Sequence, residues 1–187
     1  MTVCRRKRNR VAAAVAAVAV AALALMAPAA RAQTPIEQDV LLRHVKTNAT
    51  MVPWWGGTAN DTVVRVWPYR YTGDVWNFRY AGTYTDPYGR MWPMYQIVNV
   101  KSDRCLQPKD RAVQADALLV LYDCSTSSQA QQWILPESSD FGSFQIAPVK
   151  RTSLGITLQN RSWNGSSLQL AYRNPDNPDF NWQTDVP

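Results

Sequence analysis

A tryptophan recurs at the end of each of three similar segments, and this recurrence constrains the fold more than any other feature of the sequence. The three rings are 57 and 49 residues apart, at Trp76, Trp133 and Trp182. The clearest pair of segments is "ALLVLYDCSTSSQAQQW" (117–133) and "SSLQLAYRNPDNPDFNW" (166–182). Each segment has a run of alternating apolar and polar residues, then a polar turn and then the tryptophan. A period of about fifty residues indicates an architecture built from one recurring unit.

The recurring unit has the composition of β-strands. No stretch after residue 40 shows sustained helical periodicity, whereas short runs such as "VVRVW", "YQIVNV", "LLVLYD" and "LGITLQ" alternate with turn-formers such as "TDPYG" and "NPDNPD". Many short strands separated at regular intervals by turn-forming residues predict an all-β sandwich or barrel. Three four-stranded units that close around a pseudo-threefold axis form a β-trefoil, which is the predicted fold.

The first 32 residues have the composition of an export signal. A basic stretch, "MTVCRRKRNR", precedes the apolar run "VAAAVAAVAVAALALM" (11–26) and an Ala-Arg-Ala end at Ala32. These are the parts of a secretory signal peptide, and an apolar run shorter than about 18 residues is marginal for crossing a bilayer. We therefore expect cleavage after residue 32 and a single domain at 33–187, secreted or periplasmic and with no membrane span. An uncleaved membrane anchor is the alternative.

Removal of residues 1–32 changes the net charge of the protein, and this charge bears on which partners it could bind. Six of the 20 lysines and arginines lie before Gln33 and none of the 14 acids does, so 14 bases face 14 acids in the rest of the chain. Recognition of a phosphate backbone needs clustered positive charge. The sequence therefore predicts no nucleic-acid partner.

Two cysteines, Cys105 and Cys124, remain after the signal. An even pair in an oxidising compartment is most simply a disulfide, which would stabilise the fold by about 3 kcal/mol in the chain-entropy model. A metal or redox site would need partners that the sequence lacks, because His44 is the only histidine and no Cys-x-x-Cys occurs. We expect no metal and no cofactor, and we expect His44 to be a surface residue.

These residues resemble the ricin-B-like lectins, whose repeats carry Cys-Leu, a second cysteine and Gln-x-Trp. Here the pattern is Cys105-Leu106, Cys124 and Gln131-Gln132-Trp133, with that family's cysteine spacing. The resemblance covers roughly residues 40–187; the second repeat matches strongly, the third keeps the strand pattern and the tryptophan, and the first keeps less. In this family the recurring rings fill the common core, which implies that role for Trp76, Trp133 and Trp182.

The resemblance also implies where a sugar could bind in the second repeat. Sites in this family combine a stacking ring with an acid and an amide. The matching positions are Tyr122 for the ring, Gln107 for the acid, and Ala130 and Gln131 for the amides. The acid and an asparagine are thus missing, and a lost charge-assisted hydrogen bond costs about 1.5–3 kcal/mol. A simple galactose site is not expected, and Tyr122 is equally well explained as an ordinary strand residue.

The other two repeats depart further from the family pattern. In the third, Thr157 holds the acid position and Ala171 the ring position. In the first, Trp67 falls at the ring position and no acid is evident. Trp67 is either a ligand platform or an ordinary strand residue.

Twelve of the twenty aromatic residues lie between Trp54 and Tyr95. Neighbours on an extended strand face opposite sides, so Trp54 and Trp55 cannot both enter one core. The segment "RYAGTYTDPYGRMWP" (79–93), which includes Trp92, has the character of an insertion between the first two repeats. Either these rings bury one another at one end of the barrel, or they form an exposed patch that binds a partner.

A trefoil with one disulfide-bearing repeat, a degenerate sugar site and an aromatic-rich first repeat is similar to the binding subunits of cytolethal distending toxins. The resemblance implies assembly with other toxin subunits and attachment to a host-cell surface. It extends to the aromatic region as a whole and not to single residues. The nuclease activity of such toxins is not implied, because nothing in this chain would perform it.

Three classes of function follow. The first is a secreted, non-catalytic lectin-like protein that binds a glycan or a glycosylated surface as the recognition subunit of a larger assembly. Its candidate binding residues are Trp54, Trp55, Trp67, Trp92, Gln107, Tyr122 and Gln131. The second is a protein-binding trefoil, either an assembly subunit or an enzyme inhibitor. The third, an enzyme, is disfavoured because catalysis needs a positioned set of groups and only scattered carboxylates such as Asp74 are available.

Overall fold

The computed structural model describes residues 38–160 and 164–187, so the expected signal peptide lies outside the described residues. Within these ranges the chain forms β-strands joined by turns and five single-turn 3-10 helices, without an α-helix. No helix in the described part is long and apolar enough to cross a membrane. The strands follow from short β-branched runs that turn-formers interrupt before a helix could complete several turns.

The thirteen strands of the described residues divide into three groups of four, with the first strand of the third group split in two. The first group is β1 (Val40–His44), β2 (Ala49–Pro53), β3 (Val64–Trp67) and β4 (Val75–Thr85). The second is β5 (Met91–Asn99), β6 (Arg104–Pro108), β7 (Leu119–Asp123) and β8 (Trp133–Ile134). The third is β9 (Phe144–Gln145) with β10 (Ala147–Pro148), β11 (Leu154–Leu158), β12 (Leu168–Tyr172) and β13 (Asn181–Asp185).

The first and fourth strands of the three groups pair into a closed ring. β1 pairs with β4, β4 with β5, β5 with β8, β8 with β10, β9 with β13, and β13 with β1, all antiparallel. Closure leaves no exposed sheet edge in the ring. The second and third strands form three hairpins, β2–β3, β6–β7 and β11–β12. A closed ring of strands with three such hairpins is a β-trefoil, and the predicted fold is confirmed.

One hydrogen bond recurs in every repeat and ties its fourth strand to its second. The indole N–H groups of the three recurring tryptophans donate to backbone carbonyls at 2.9, 3.2 and 3.2 Å. The pairs are Trp76 with Met51, Trp133 with Leu106, and Trp182 with Ile156. All three rings are fully buried. A buried indole needs such a partner because an unpaired buried donor costs about 1–3 kcal/mol.

The expected disulfide joins Cys105 on β6 to Cys124 after β7. In the third repeat the equivalent positions are Gly155 and Arg173. A methyl group added at Gly155 would lie 3.2 Å from Cδ of Arg173, so the arginine stem fills the space that the disulfide fills in the second repeat. The Arg173 guanidinium then donates to the Gln145 side-chain oxygen at 3.1 Å. Packing and a hydrogen bond thus replace the covalent link.

His44 is fully buried, which corrects the expectation of a surface residue. It lies on β1 opposite Trp182, and its ring meets the indole edge to face with centroids 5.1 Å apart. Its Nε2 is 3.1 Å from the Asp179 carbonyl oxygen and its Nδ1 is 3.1 Å from the Thr47 hydroxyl. Both ring nitrogens therefore have partners inside the fold.

The role of His44 becomes clear from the second repeat. Asn99 holds the equivalent place on β5, opposite Trp76, and its amide donates at 2.7 Å to the carbonyl of Gly73, three residues before that tryptophan. His44 bonds the carbonyl three residues before Trp182 in the same way. The histidine is thus a structural link between neighbouring repeats.

Replacing one recurring indole tests the contribution of the hydrogen-bonded rings. We expect Trp133→Phe to lower the free energy of unfolding by about 2–4 kcal/mol, because it leaves the Leu106 carbonyl unpaired and opens a cavity. The matched control is Trp55→Phe at an exposed ring, which should change stability by less than about 0.5 kcal/mol. Urea unfolding measures both, and equal effects would contradict the assigned core role.

Acid should destabilise the fold through His44. Burial, the largest effect, lowers the pKa of His44 below its ordinary 6.5, so the unfolded chain binds the proton more readily than the native one. The stability that neutral, buried His44 contributes is therefore present above pH 6.5 and is lost as the pH falls below that value. Urea unfolding between about pH 7 and 5 should show this loss, and His44→Asn, which copies the second repeat, should flatten the slope. An identical slope in the variant would exclude His44 as its source.

Candidate functional site

An open cleft beside the β6–β7 hairpin is the first candidate site, here called the repeat-2 cleft. It has a volume of about 260 Å³. Its lining residues are Asp61, Gln107, Asp110, Arg111 and Tyr122. Two of these, Gln107 and Tyr122, are candidates from the sequence, and the other three were not singled out there.

Strand register places the ring and the amide of the repeat-2 cleft on one face. Tyr122 on β7 pairs with Cys105 on β6, and Gln107 lies two residues after Cys105 on β6. Side chains two apart on a strand point to the same side, so Gln107 and Tyr122 are diagonal neighbours. The Arg111 guanidinium lies 5.8 Å from the Tyr122 ring centroid, within cation–π range. The ring is half-buried, so part of it faces solvent.

Gln131 lies behind Gln107 and is fully buried. Its amide nitrogen donates to the Gln107 side-chain oxygen and to the Asp123 carbonyl, both at 2.9 Å. Its own side-chain oxygen accepts from the Ser125 N–H at 2.7 Å. With both amide hydrogens in use, Gln131 fixes the orientation of Gln107 and leaves the NH₂ end of Gln107 for the cleft.

Two carboxylates, those of Asp61 and Asp110, line the cleft. Asp110 lies in the 3-10 turn Lys109–Arg111 that follows β6, and Asp61 comes from the loop before β3. Their backbone φ angles are 57° and 64°. Aspartate tolerates this left-handed conformation better than most residues. The Asp61 N–H donates to the Leu121 carbonyl at 2.9 Å, which holds the loop against β7. Asp61 is not evident from the sequence because it belongs to a different repeat.

A second candidate site, the repeat-1 pocket, lies beside the β2–β3 hairpin. By register, Val52 corresponds to Gln107 and Trp67 to Tyr122. The first repeat thus keeps a ring and replaces the polar group by an apolar one. The lining residues are Val52, Pro53, Trp55, Arg65, Trp67 and Tyr71.

Trp54 and Trp55 do not lie on an extended strand, which corrects the expectation from the sequence. They form a 3-10 turn with Gly56 after β2, with φ angles of 52° at Trp55 and 62° at Gly56. The turn directs both rings outward, with Trp54 39% and Trp55 72% exposed. Their centroids are 5.7 Å apart at an interplanar angle of 82°, an edge-to-face pair. These two rings form an exposed aromatic surface.

The insertion between the first two repeats is a long hairpin formed by the ends of β4 and β5, here called the arm (residues 80–94). The Asp86 carboxylate organises its tip by accepting from the N–H groups of Tyr88 and Arg90, the Arg90 guanidinium and the Trp92 indole. Partial burial alone would raise the pKa of Asp86, but these hydrogen bonds outweigh it and hold the pKa at about 2. Trp92 is half-buried in the arm and lines neither candidate site.

The sequence left two alternatives for the aromatic residues between Trp54 and Tyr95, burial or an exposed patch. The structure shows some of the rings in each state. Three of its rings enter the core: Trp76, Phe78 and Tyr95. Five are exposed: Trp54, Trp55, Tyr69, Tyr80 and Tyr88. The remaining four, Trp67, Tyr71, Tyr84 and Trp92, are half-buried.

In the third repeat the two described positions that correspond to Gln107 and Tyr122 do not supply a polar group and a ring for a site. Thr157, at the acid position, is fully buried and donates to the Asp179 carbonyl at 2.8 Å. Ala171 offers no ring at the stacking position. Among the described residues, no group of three or more histidines, cysteines or acids is placed to hold a metal ion.

The trefoil topology and the recurring indoles agree with comparison to known families. A family model described as "Ricin-type beta-trefoil lectin domain-like" matches residues 72–171. This chain belongs to that family. The resemblance seen in the sequence is confirmed, although no curated protein matches the sequence.

Solved structures show the same fold at low identity. The designed threefold-symmetric protein ThreeFoil is similar at TM-score 0.66 and 15% identity, over 79% of this chain and 98% of that one. The Macrolepiota procera ricin B-like lectin in complex with lactose is similar at 0.63 and 18%, over 83% and 99%. The Haemophilus ducreyi cytolethal distending toxin is similar at 0.59 and 19%, over 84% and 89%. At these identities the likeness concerns the fold alone.

Proposed function

We propose that this protein is a non-catalytic carbohydrate-binding protein whose sugar site is the repeat-2 cleft. The observation that carries the proposal is the placement of the Tyr122 ring and the Gln107 amide on one hairpin face, with the carboxylates of Asp61 and Asp110 in the same cleft. A sugar needs an apolar ring face for its C–H groups and polar groups for its hydroxyls. The cleft offers both, with the acids at positions that differ from the family pattern.

The ring, the amide and the two carboxylates of the cleft then have distinct roles. The exposed part of Tyr122 covers one face of the sugar, and the NH₂ group of Gln107 donates to a hydroxyl. The carboxylates accept from hydroxyls, and such charge-assisted hydrogen bonds are about twice as strong as neutral ones. Gln131 is a positioning residue, because its amide hydrogens already serve Gln107 and Asp123.

We further propose that the protein acts outside the cytoplasm as the recognition subunit of a larger, toxin-like assembly. The disulfide between Cys105 and Cys124 supports an oxidising compartment. Membership of the ricin-type family supports glycan recognition. The similarity in fold to the Haemophilus ducreyi cytolethal distending toxin supports a place in an assembly.

Substitutions in the cleft test the sugar site. We expect Tyr122→Ala to abolish glycan binding, because it removes the stacking face. Asp61→Asn and Asp110→Asn should each weaken binding by about tenfold or more, because each removes a charged acceptor. Asparagine also tolerates the left-handed backbone at both positions. A glycan array identifies ligands, and calorimetry measures the affinities.

The third repeat supplies the matched control for Tyr122. Tyr172 is exposed at the end of β12, with the Arg151 guanidinium 5.4 Å from its ring centroid, but it lines neither candidate site. Tyr172→Ala should leave binding unchanged. Equal losses in the two alanine variants, or an array on which the wild-type protein binds nothing, would refute the sugar site.

A second candidate function, protein binding without sugar, is supported by the arm. Its Tyr80, Tyr88 and Met91 side chains are exposed, and Tyr88 is 86% accessible. Tyrosine and methionine are enriched at protein interfaces, and a soluble chain exposes contiguous apolar surface where it binds. Protein binding requires none of the cleft residues.

Arm variants separate the two functions. We expect the double variant Tyr88→Ser/Met91→Ser to lose an assembly partner while keeping its glycan affinity, because neither residue lines the repeat-2 cleft. The measurement is co-purification with the products of neighbouring genes, followed by reconstitution from purified components. Retention of every such partner by the double variant would exclude the arm as the interface.

A further inference from the structure

Arg65 on β3 is charged, partly desolvated and without a polar partner. Within the described part of the chain its guanidinium makes no hydrogen bond and no ion pair, and its Nε is buried and unpaired. Burial lowers the pKa of Arg65 below its ordinary value. The contact it does make is with the Trp54 ring, over which the guanidinium lies. An unpaired buried donor in a native fold calls for an explanation, and a ligand is one.

The side chain of Arg65 separates two cavities. One is the repeat-1 pocket, in which Arg65 is the charged group among apolar walls. The other, here called the axial cavity, has a volume of about 460 Å³. Val63, Leu118 and Ser167 line it from the three repeats, each one residue before the third strand of its unit. The axial cavity therefore lies on the pseudo-threefold axis.

The axial cavity borders both candidate sites. It shares Arg65 with the repeat-1 pocket and Asp61 with the repeat-2 cleft. The three cavities therefore lie next to one another and share walls at Arg65 and Asp61, and this row of cavities across the first two repeats is here called the groove. Aromatic side chains stand at both ends, Trp55 and Trp67 in the first repeat and Tyr122 in the second.

We propose that this groove binds an extended acidic oligosaccharide, with Arg65 as the partner of its carboxylate or sulfate group. The proposal rests on glycan binding in the repeat-2 cleft and adds the ligand class. A planar guanidinium matches the two oxygens of such a group, and the half-buried position of Arg65 strengthens the attraction relative to an exposed one. The terminal N–H groups of the Arg65 guanidinium, which have no partner among the described residues, then receive acceptors from the ligand.

The charges along the groove also set the direction and character of the ligand. Arg65 is the charged residue of the repeat-1 pocket. The repeat-2 cleft holds the two carboxylates of Asp61 and Asp110 against the one cation of Arg111, so acidic groups predominate there. A chain with an acid on every unit would place negative charge against these carboxylates, which is unfavourable. The ligand therefore carries its acidic unit over the first repeat and neutral, hydroxyl-rich units over the second.

Matched pairs of glycans test this assignment. The probes are neutral oligosaccharides, each paired with a form that differs only by one carboxylate or one sulfate, such as lactose with 3′-sialyllactose and with 3′-sulfolactose. Inorganic sulfate serves as a separate arm for simple anion binding. We expect at least one acidic member to bind about tenfold or more tightly than its neutral partner, as for other hydrogen bonds to charged groups. This preference should weaken as salt is raised.

Arg65→Gln should reduce the affinity for the acidic member to that of the neutral one and should leave the neutral affinity unchanged. Arg65→Lys should keep only part of the preference for the acidic member. The positive charge remains, but the planar guanidinium that can bond two oxygens at once is lost. The matched control is Arg79→Gln, which removes one positive charge at an exposed pair with Asp103 outside the groove. Thermal unfolding verifies that each variant is folded.

The outcomes distinguish failure of this inference from failure of the proposed function. If neutral and acidic members bind equally throughout the panel, or if Arg65→Gln retains the acidic preference, the inference is wrong and the sugar site stands. If inorganic sulfate competes with the acidic glycan at equal affinity, Arg65 is a simple anion site and the proposed oligosaccharide ligand is wrong. If no glycan binds, both proposals fail together.

Discussion

The hydrogen bond from a buried indole to a backbone carbonyl, made once in each repeat, is the contact on which the rest of the fold depends. It joins the fourth strand of a unit to its second and so couples the closed ring to the hairpin that the ring carries. The hydrophobic gain of burying an indole is large, but it is non-directional. The N–H group adds direction, because a shift of the ring would leave a donor and a carbonyl unpaired in the core. Three such constraints around one axis fix how the hairpins lie relative to the barrel.

Because the core contacts carry the fold, the residues outside them are free to differ between repeats. The same position on the second strand holds Val52, Gln107 or Thr157, and the facing ring position holds Trp67, Tyr122 or Ala171. The link between hairpin strands also differs, a disulfide in the second repeat and an arginine packed on Gly155 in the third. One backbone therefore presents a largely apolar pocket in the first repeat and a polar cleft in the second, with a buried threonine and an alanine at the same positions of the third. Function in such a fold resides in these local differences.

The sequence predicts what depends on short-range pattern and misses what depends on contact between repeats. Strand runs, the period of the tryptophans and the cysteine pair are local signals, and they suffice for the trefoil and the disulfide. Trp54 and Trp55 were expected on a strand because a 3-10 turn with a left-handed residue has no signal in two adjacent tryptophans. His44 is buried because β1 closes the ring against β13, which a linear reading does not show. Asp61 reaches the repeat-2 cleft only because its loop bonds to β7.

A degenerate site can still serve recognition if it is one of several that a single ligand spans. A lone hexose held by one ring and a few hydrogen bonds binds at about millimolar strength. When a second weak site lies within reach of the same chain, its binding becomes intramolecular, and affinity rises by about 10²–10⁴ without any new contact. The loop that carries Asp61 belongs to the first repeat and borders the second, so neighbouring sites in this trefoil share a wall. That shared wall favours a ligand longer than one sugar, and the loss of the family's acid at Gln107 is then compatible with binding.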